Sequence, residues 1–247
     1  MKKTLFAFFL VFGCDSSDGV ATDFRAALPP KAGLELAVPG KDGGNATGSG
    51  LATIGQIADL YAVTRQVSGQ LNGLVGGVIH SIWDIVQNPP SFSDGVHAVW
   101  GPFTPPLSPV TYRLVGFPDH FQLEARPKSA GDDAFQPAVT GVPGAFHVNL
   151  DLLNALDPVG NPMPGALQVA FDPSQIQVHL NGLDYRFTPG SFQFAANGQQ
   201  IVSRWDQTGA GRADADGTIT ECWDSEFRRV FFTDGTNAEG SAQSCVF

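Results

Sequence analysis

Residues 51–87 read LATIGQIADLYAVTRQVSGQLNGLVGGVIHSIWDIVQ, and their spacing decides what the rest of the chain must do. Ile54, Ile57, Tyr61, Val67, Leu71 and Leu74 recur mostly at steps of three and four, and Val78, Ile82 and Ile85 continue the series. That is the stripe of an amphipathic helix. Asn88-Pro89-Pro90 stops it, because proline disfavours helical geometry in the residue before it. Run without a break, the segment would extend about 55 Å at 1.5 Å per residue, which is long for one compact domain. Gly69, Gly73, Gly76 and Gly77 each cost about 1 kcal/mol in a helix interior. They predict a kink or break, or a place where a sheet approaches closely. Gln66, Gln70, Asn72 and His80 make the second half too polar for a membrane span. The stripe is therefore read as buried against the protein's own sheet, with a dimer seam as the other reading.

From Ser91 onward the period changes to two. Phe146, Val148 and Leu150 point one way, while His147, Asn149 and Asp151 point the other. Leu167, Val169 and Phe171 repeat the alternation, as do Ile176, Val178 and Leu180. Tyr185 with Phe187, Phe192 with Phe194, and Val230 with Phe232 continue it, and 112–117 with 121–125 reads as an earlier hairpin. One apolar and one polar face per strand is the mark of an antiparallel sheet wet on one side. Asp157-Pro158, Asn161-Pro162, Asn181-Gly182 and Asp234-Gly235 supply the turns.

A sheet of about eight such strands must cover its dry face, and 51–87 is the long apolar-striped element able to do so. The predicted class is α+β, mainly β: a curved antiparallel sheet, half-barrel-like, packed on one long helix. A β-sandwich with an external helix is the alternative. The first shape resembles the half-barrel envelope proteins that carry lipids or lipoproteins. That likeness is one of architecture, with no motif behind it, and fold does not fix function.

The N-terminus carries a separate signal. Met1-Lys2-Lys3 is basic, and TLFAFFLVFG (4–13) is an uncharged run of export-signal length, too short to span a bilayer. Val11-Phe12-Gly13-Cys14 resembles the lipobox of bacterial lipoprotein precursors, departing from it at Phe12, where a smaller residue is usual. The resemblance implies removal of 1–13 as a signal peptide and a diacylglyceryl thioether on Cys14. The diacylglyceryl group brings two chains and acylation of the new amine a third, and two or three make anchoring stable where one alone is marginal. Residues 14–50, with DSSDGVATD and KDGGNATGSG, then read as the lipidated cysteine and a flexible tether. LELAV (34–38) within it could form a first strand. Residues 51–247 form the single globular domain.

Cys14 apart, Cys222 and Cys245 remain, and an even remainder in an oxidising compartment reads as one disulfide. Two cysteines without CxxC spacing give too few ligands for zinc.

The chain carries 14 basic and 24 acidic side chains, a formal charge of −10, and has no basic stripe. Nucleic acid is therefore not an expected partner. Catalytic motifs are missing too, with no G-x-S-x-G, S-x-x-K or H-E-x-x-H. His147, His179 and Asp151 share the polar face of predicted strands and could form a two-histidine, one-carboxylate site if those strands were neighbours. The segment Asp214-Ala215-Asp216-Gly217-Thr218-Ile219 partly matches a calcium loop, but Arg212 and Trp223 stand where its first and last ligands belong. No catalytic residue, metal or cofactor is assigned. The expected function is a membrane-anchored cell-envelope lipoprotein facing the periplasm or exterior, binding an apolar ligand or an envelope component. A structural or adhesion lipoprotein, or an unrecognised hydrolase, are the rival readings.

Overall fold

The structure is a computed structural model and describes residues 17–28, 36–40, 52–157, 163–172, 174–196 and 198–245. The expected signal peptide and Cys14 lie outside them.

Three helices are described: α1 (Ser17–Ala27), α2 (Asp59–Val86) and α3 (Leu150–Leu156). The strands are β1 Phe92–Ser93, β2 Ala98–Phe103, β3 Val110–Gly116, β4 Phe121–Pro127 and β5 Gln136–Val142. Next come β6 Ala145–Asn149, β7 Ala166–Asp172, β8 Gln175–Leu180, β9 Leu183–Thr188 and β10 Ser191–Ala196. The last are β11 Gln199–Trp205, β12 Gly211–Ala215, β13 Ile219–Trp223, β14 Arg229–Thr233 and β15 Ala238–Gly240. All fifteen lie in one sheet, each pairing with the next in sequence order, and the sheet is not closed. The class is mainly antiparallel β with helices, as the alternation predicted. Two facing sheets with an external helix, the alternative, do not describe it: the apolar side of α2 lies inside the same core as the strands.

Helix α2 begins at Asp59, not 51, and ends at Val86, before the diproline. Its buried side chains fall at steps of three and four, from Tyr61 and Thr64 through Leu71, Val75 and Ile79 to Val86. The expected break at the glycines does not occur. A Cβ added at Gly69, Gly73, Gly76 or Gly77 would meet nothing within 4 Å, so no sheet approaches there. Packing of the opposite side holds the helix together through residues of poor propensity.

Both ends of α2 are finished by side chains from elsewhere. Ala58 at its N-cap offers no side-chain bond. Instead Glu221 of β13 accepts from Asp59 N (3.0 Å) and Leu60 N (2.5 Å). Arg25 of α1 donates to the carbonyls of Val86 (2.6 Å) and Asn88 (3.0 Å). An anion at the positive end and a cation at the negative end satisfy orphan backbone groups and oppose the helix dipole.

The tether expected over 14–50 is corrected for its described parts. Residues 17–27 are helix α1, with Val20, Ala21 and Phe24 buried and Leu28 buried just beyond its end. The Phe24 ring lies 5.6 Å from Trp100 and 5.9 Å from Phe121. Residues 36–40 form no strand. Leu36 is buried, and Asn72 of α2 bonds both its N–H (2.8 Å) and its carbonyl (3.2 Å). Helix α3 is also unexpected: Asn149 accepts from Leu152 N at 2.9 Å and turns β6 into a helix.

Elsewhere the turn chemistry reads through. Asn181 (φ 51°) and Gly182 (φ 82°) form the two-residue loop between β8 and β9, a geometry that Asn-Gly adopts at low cost.

Candidate functional site

The alternation along each strand sends Phe146, Val169 and Val178 into the core beside α2. Their neighbours point to the other face. Strand register lines those neighbours up. Gln122 pairs with Thr140, Thr140 with His147, His147 with Gln168, Gln168 with His179, and His179 with Asp184. This is one polar row across six strands, β4 to β9, about 24 Å long at 4.8 Å per strand. A second row lies two residues away along each strand. Ala145, Ala170, Gln177, Arg186 and Gln193 follow one another there across β6 to β10.

The two rows border an open cleft of about 970 Å3. Its floor is the backbone of the intervening residues, Gly141, Val169 and Val178 among them. Ala145 and Ala170 leave the second row low at one end. Among the described residues lining the cleft, Asp184 and Arg186 are the only Asp, Glu, Lys or Arg, and they cancel formally. In a chain of charge −10 this is a neutral surface.

Little of the hydrogen-bonding capacity of these two rows is used among the described residues. His179 Nδ1 lies 2.8 Å from Asp184 Oδ1. By contrast, Gln122, Gln168, Gln177 and Gln193 find no side-chain partner among the described residues. Each amide has two N–H donors and a carbonyl acceptor free to meet a ligand or water.

An aromatic strip leads to the cleft's edge. The rings of Phe92 and His97 are 5.5 Å apart, those of His97 and Phe117 5.6 Å, and those of Phe117 and His120 4.1 Å and nearly parallel. His120 lines the cleft, and Phe92 at the far end is half exposed. The hydrogen bond from the His120 imidazole holds the Asp119 carboxyl below its ordinary range.

The sequence placed His147 and His179 on one polar face, and there they stand, on β6 and β8 with β7 between them. Their side chains are therefore about 10 Å apart in ladder terms, too far to share one ion. Asp151 does not join them. It sits in the first turn of α3 and accepts from Gly165 N at 2.7 Å. The glutamines were missed, though Leu167-Gln168-Val169, Ile176-Gln177-Val178 and Phe192-Gln193-Phe194 put each at an outward position.

The partial calcium loop is a hairpin turn whose carboxylates are occupied. Partial burial pushes Asp214 up, but bonds from Arg212 and Thr220 prevail and hold it below the ordinary range. Asp216 accepts from Gln200 N at 2.7 Å. Among the described residues no group of three His, Cys, Asp or Glu converges as a metal site.

Cys222 and Cys245 lie at disulfide distance, with Cα atoms 5.5 Å apart. Beside Cys222, the wholly buried Glu221 pairs with the buried Arg229 at 2.5 Å, and Arg229 also reaches Asp59 (3.2 Å) and the Ala52 carbonyl. Burial pushes the Glu221 carboxyl up, against the pull of Arg229 and the two helix N–H groups. With every partner inside the fold, this cluster serves to seat α2 and offers nothing to a substrate.

No family model, curated protein or solved structure matches the chain.

Proposed function

We propose that this chain is an exported, lipid-anchored protein of the bacterial cell envelope, held by an acyl thioether on Cys14, whose polar cleft binds an envelope component. It is a binding protein and not a hydrolase on this reading. The observation that carries it is the cleft of about 970 Å3 on the polar face of the sheet, bordered by amides that have no side-chain partner among the described residues. Concave sites with a few convergent polar groups are the usual places where ligands bind.

The architectural part of the reading is a half-barrel-like sheet curved around α2. Open twisted sheets rarely pass about ten strands without curling. One core cluster joins residues from β2 through β13 to α2. That supports a sheet wrapped on the helix, and it favours a polar ligand over an apolar one. Phe192, Phe194, Val169 and Val178, which could have lined an apolar cavity, are packed in that core instead.

Fractionation of a bacterium expressing the full chain tests both parts. Wild type should sediment with membranes and carry acyl mass on Cys14, while Cys14→Ser should not. Detergent-solubilised wild type should be retained by purified envelope, and the triple variant Gln168→Ala/Gln177→Ala/Gln193→Ala should be released. An unmodified thiol with Met1 in place overturns the anchor. Equal retention of the triple variant overturns the cleft.

A further inference from the structure

Resting on the reading of the cleft as a binding site, we infer that its ligand is a neutral glycan chain. Three features of the surface point to it. The amides of Gln168, Gln177 and Gln193 are exposed or half-exposed and have no side-chain partner among the described residues, so each brings both donors and an acceptor to the face. A planar amide meets two neighbouring hydroxyls at once, donating to one and accepting from the other, and a sugar edge supplies such hydroxyls in series. The polar row runs unbroken across six strands. Its length suits an extended polymer better than a small molecule.

Charge decides against the other polymers. An anionic chain would meet one arginine, Arg186, on the surface of a protein of charge −10. A cationic chain would meet one carboxylate, Asp184, already bonded to His179. A chain without charge meets no such penalty, and Arg186, with no ion-pair partner among the described residues, gives its N–H groups to hydroxyl oxygens.

The third feature is the aromatic strip. A pyranose is polar at its edge and apolar on its C–H faces, so glycan sites combine hydrogen-bonding side chains with flat rings. Here the strip reaches the cleft at His120, with Phe117 stacked between His97 and His120 and Phe92 half exposed at the far end, so His120 and Phe92 are the rings that offer a face. An extended peptide brings apolar surface only where its side chains supply it, whereas every pyranose unit carries an apolar C–H face. An exposed phenylalanine such as Phe92 is otherwise unexplained by the core.

Calorimetric titration of the full chain tests this, in a detergent without a sugar head group. The probes are the linear hexasaccharides of N-acetylglucosamine and of glucose. At least one should bind with a Kd between about 10 μM and 1 mM. The triple glutamine variant should weaken that binding about tenfold or more, and Phe92→Ala severalfold. Salt should leave the affinity unchanged, since screening acts on charges. These residues are exposed or half-exposed, so the variants keep the fold, which circular dichroism checks. Failure of both glycans, while purified envelope still retains wild type and releases the triple variant, overturns the glycan and leaves the cleft standing. Tighter, salt-sensitive binding of an anionic glycan, or binding of a peptide in place of either sugar, also overturns it. Loss of envelope retention altogether brings down the cleft and the glycan together.

Discussion

The Nε of Arg25 lies 2.6 Å from the carbonyl oxygen of Val86, 61 residues further along the chain. This bond ties the first described helix to the C-terminus of the longest one. Arg25→Ala should cost about 1 kcal/mol, the usual worth of a cation at a helix C-terminus. Urea unfolding measures the loss, and hydrogen exchange should speed up across 17–28. An unchanged midpoint would mean that α1 is held by its buried apolar side chains, Val20, Ala21, Phe24 and Leu28, without help from Arg25.

The opposite end of α2 is a stronger test. Glu221 is fully buried and Arg229 is 1% exposed. Arg229→Met leaves the Glu221 charge without its partner and should cost about 3–5 kcal/mol. Glu221→Leu should cost a similar amount, because it also strips the cap from Asp59 and Leu60. The double variant should be less damaging than the sum of the two. A double-mutant cycle by denaturant unfolding reads this, and simple additivity contradicts it.

Acid should unfold the protein through its turn carboxylates. Bonds within their own turns hold Asp172, Asp206 and Asp234 below the ordinary value of 3.8. A depressed folded value means stability that is present above the unfolded value and lost as pH falls through the folded one. Glu221 runs the other way, since burial raises it: its share is present at low pH and lost as pH rises through the raised value. The melting temperature should therefore fall as pH drops below about 4, and the contribution of Glu221 should fade on the alkaline side of its raised value. A melting temperature that climbs steadily toward alkaline pH contradicts this balance.

Cys222 and Cys245 close a loop 23 positions long that ties Cys245 back to β13. In the chain-entropy model such a closure contributes roughly 3 kcal/mol. Reduction, or Cys245→Ser, should lower stability by about that amount while leaving binding at the cleft unchanged. Thermal melts with and without reductant provide the check.

The fold class was legible because its two periods are clean: steps of three and four in α2, steps of two from β3 onward. What escaped depended on contacts distant in sequence. Helix α1 was hidden behind small polar residues, although Val20, Phe24 and Leu28 already fall four apart. The true start of α2 could not be read, because its cap is Glu221, 162 residues from Asp59. Asp151 was misplaced because Asn149 reads equally well as a strand residue and as a helix cap. The polar row needed register as well as alternation. Gln168 and Gln177 each look like ordinary outward strand positions until pairing sets His147 and His179 on either side of Gln168, with Arg186 beside Gln177.

The glutamine side chains themselves report on the central claim. In the full chain labelled with 15N at glutamine side-chain amides, soluble fragments of digested envelope are added. Signals of Gln168, Gln177 and Gln193 should move, while Gln66 and Gln70, exposed on α2, should stay. Movement of Gln66 and Gln70 with the cleft's glutamines still would place binding on the helix and contradict the account.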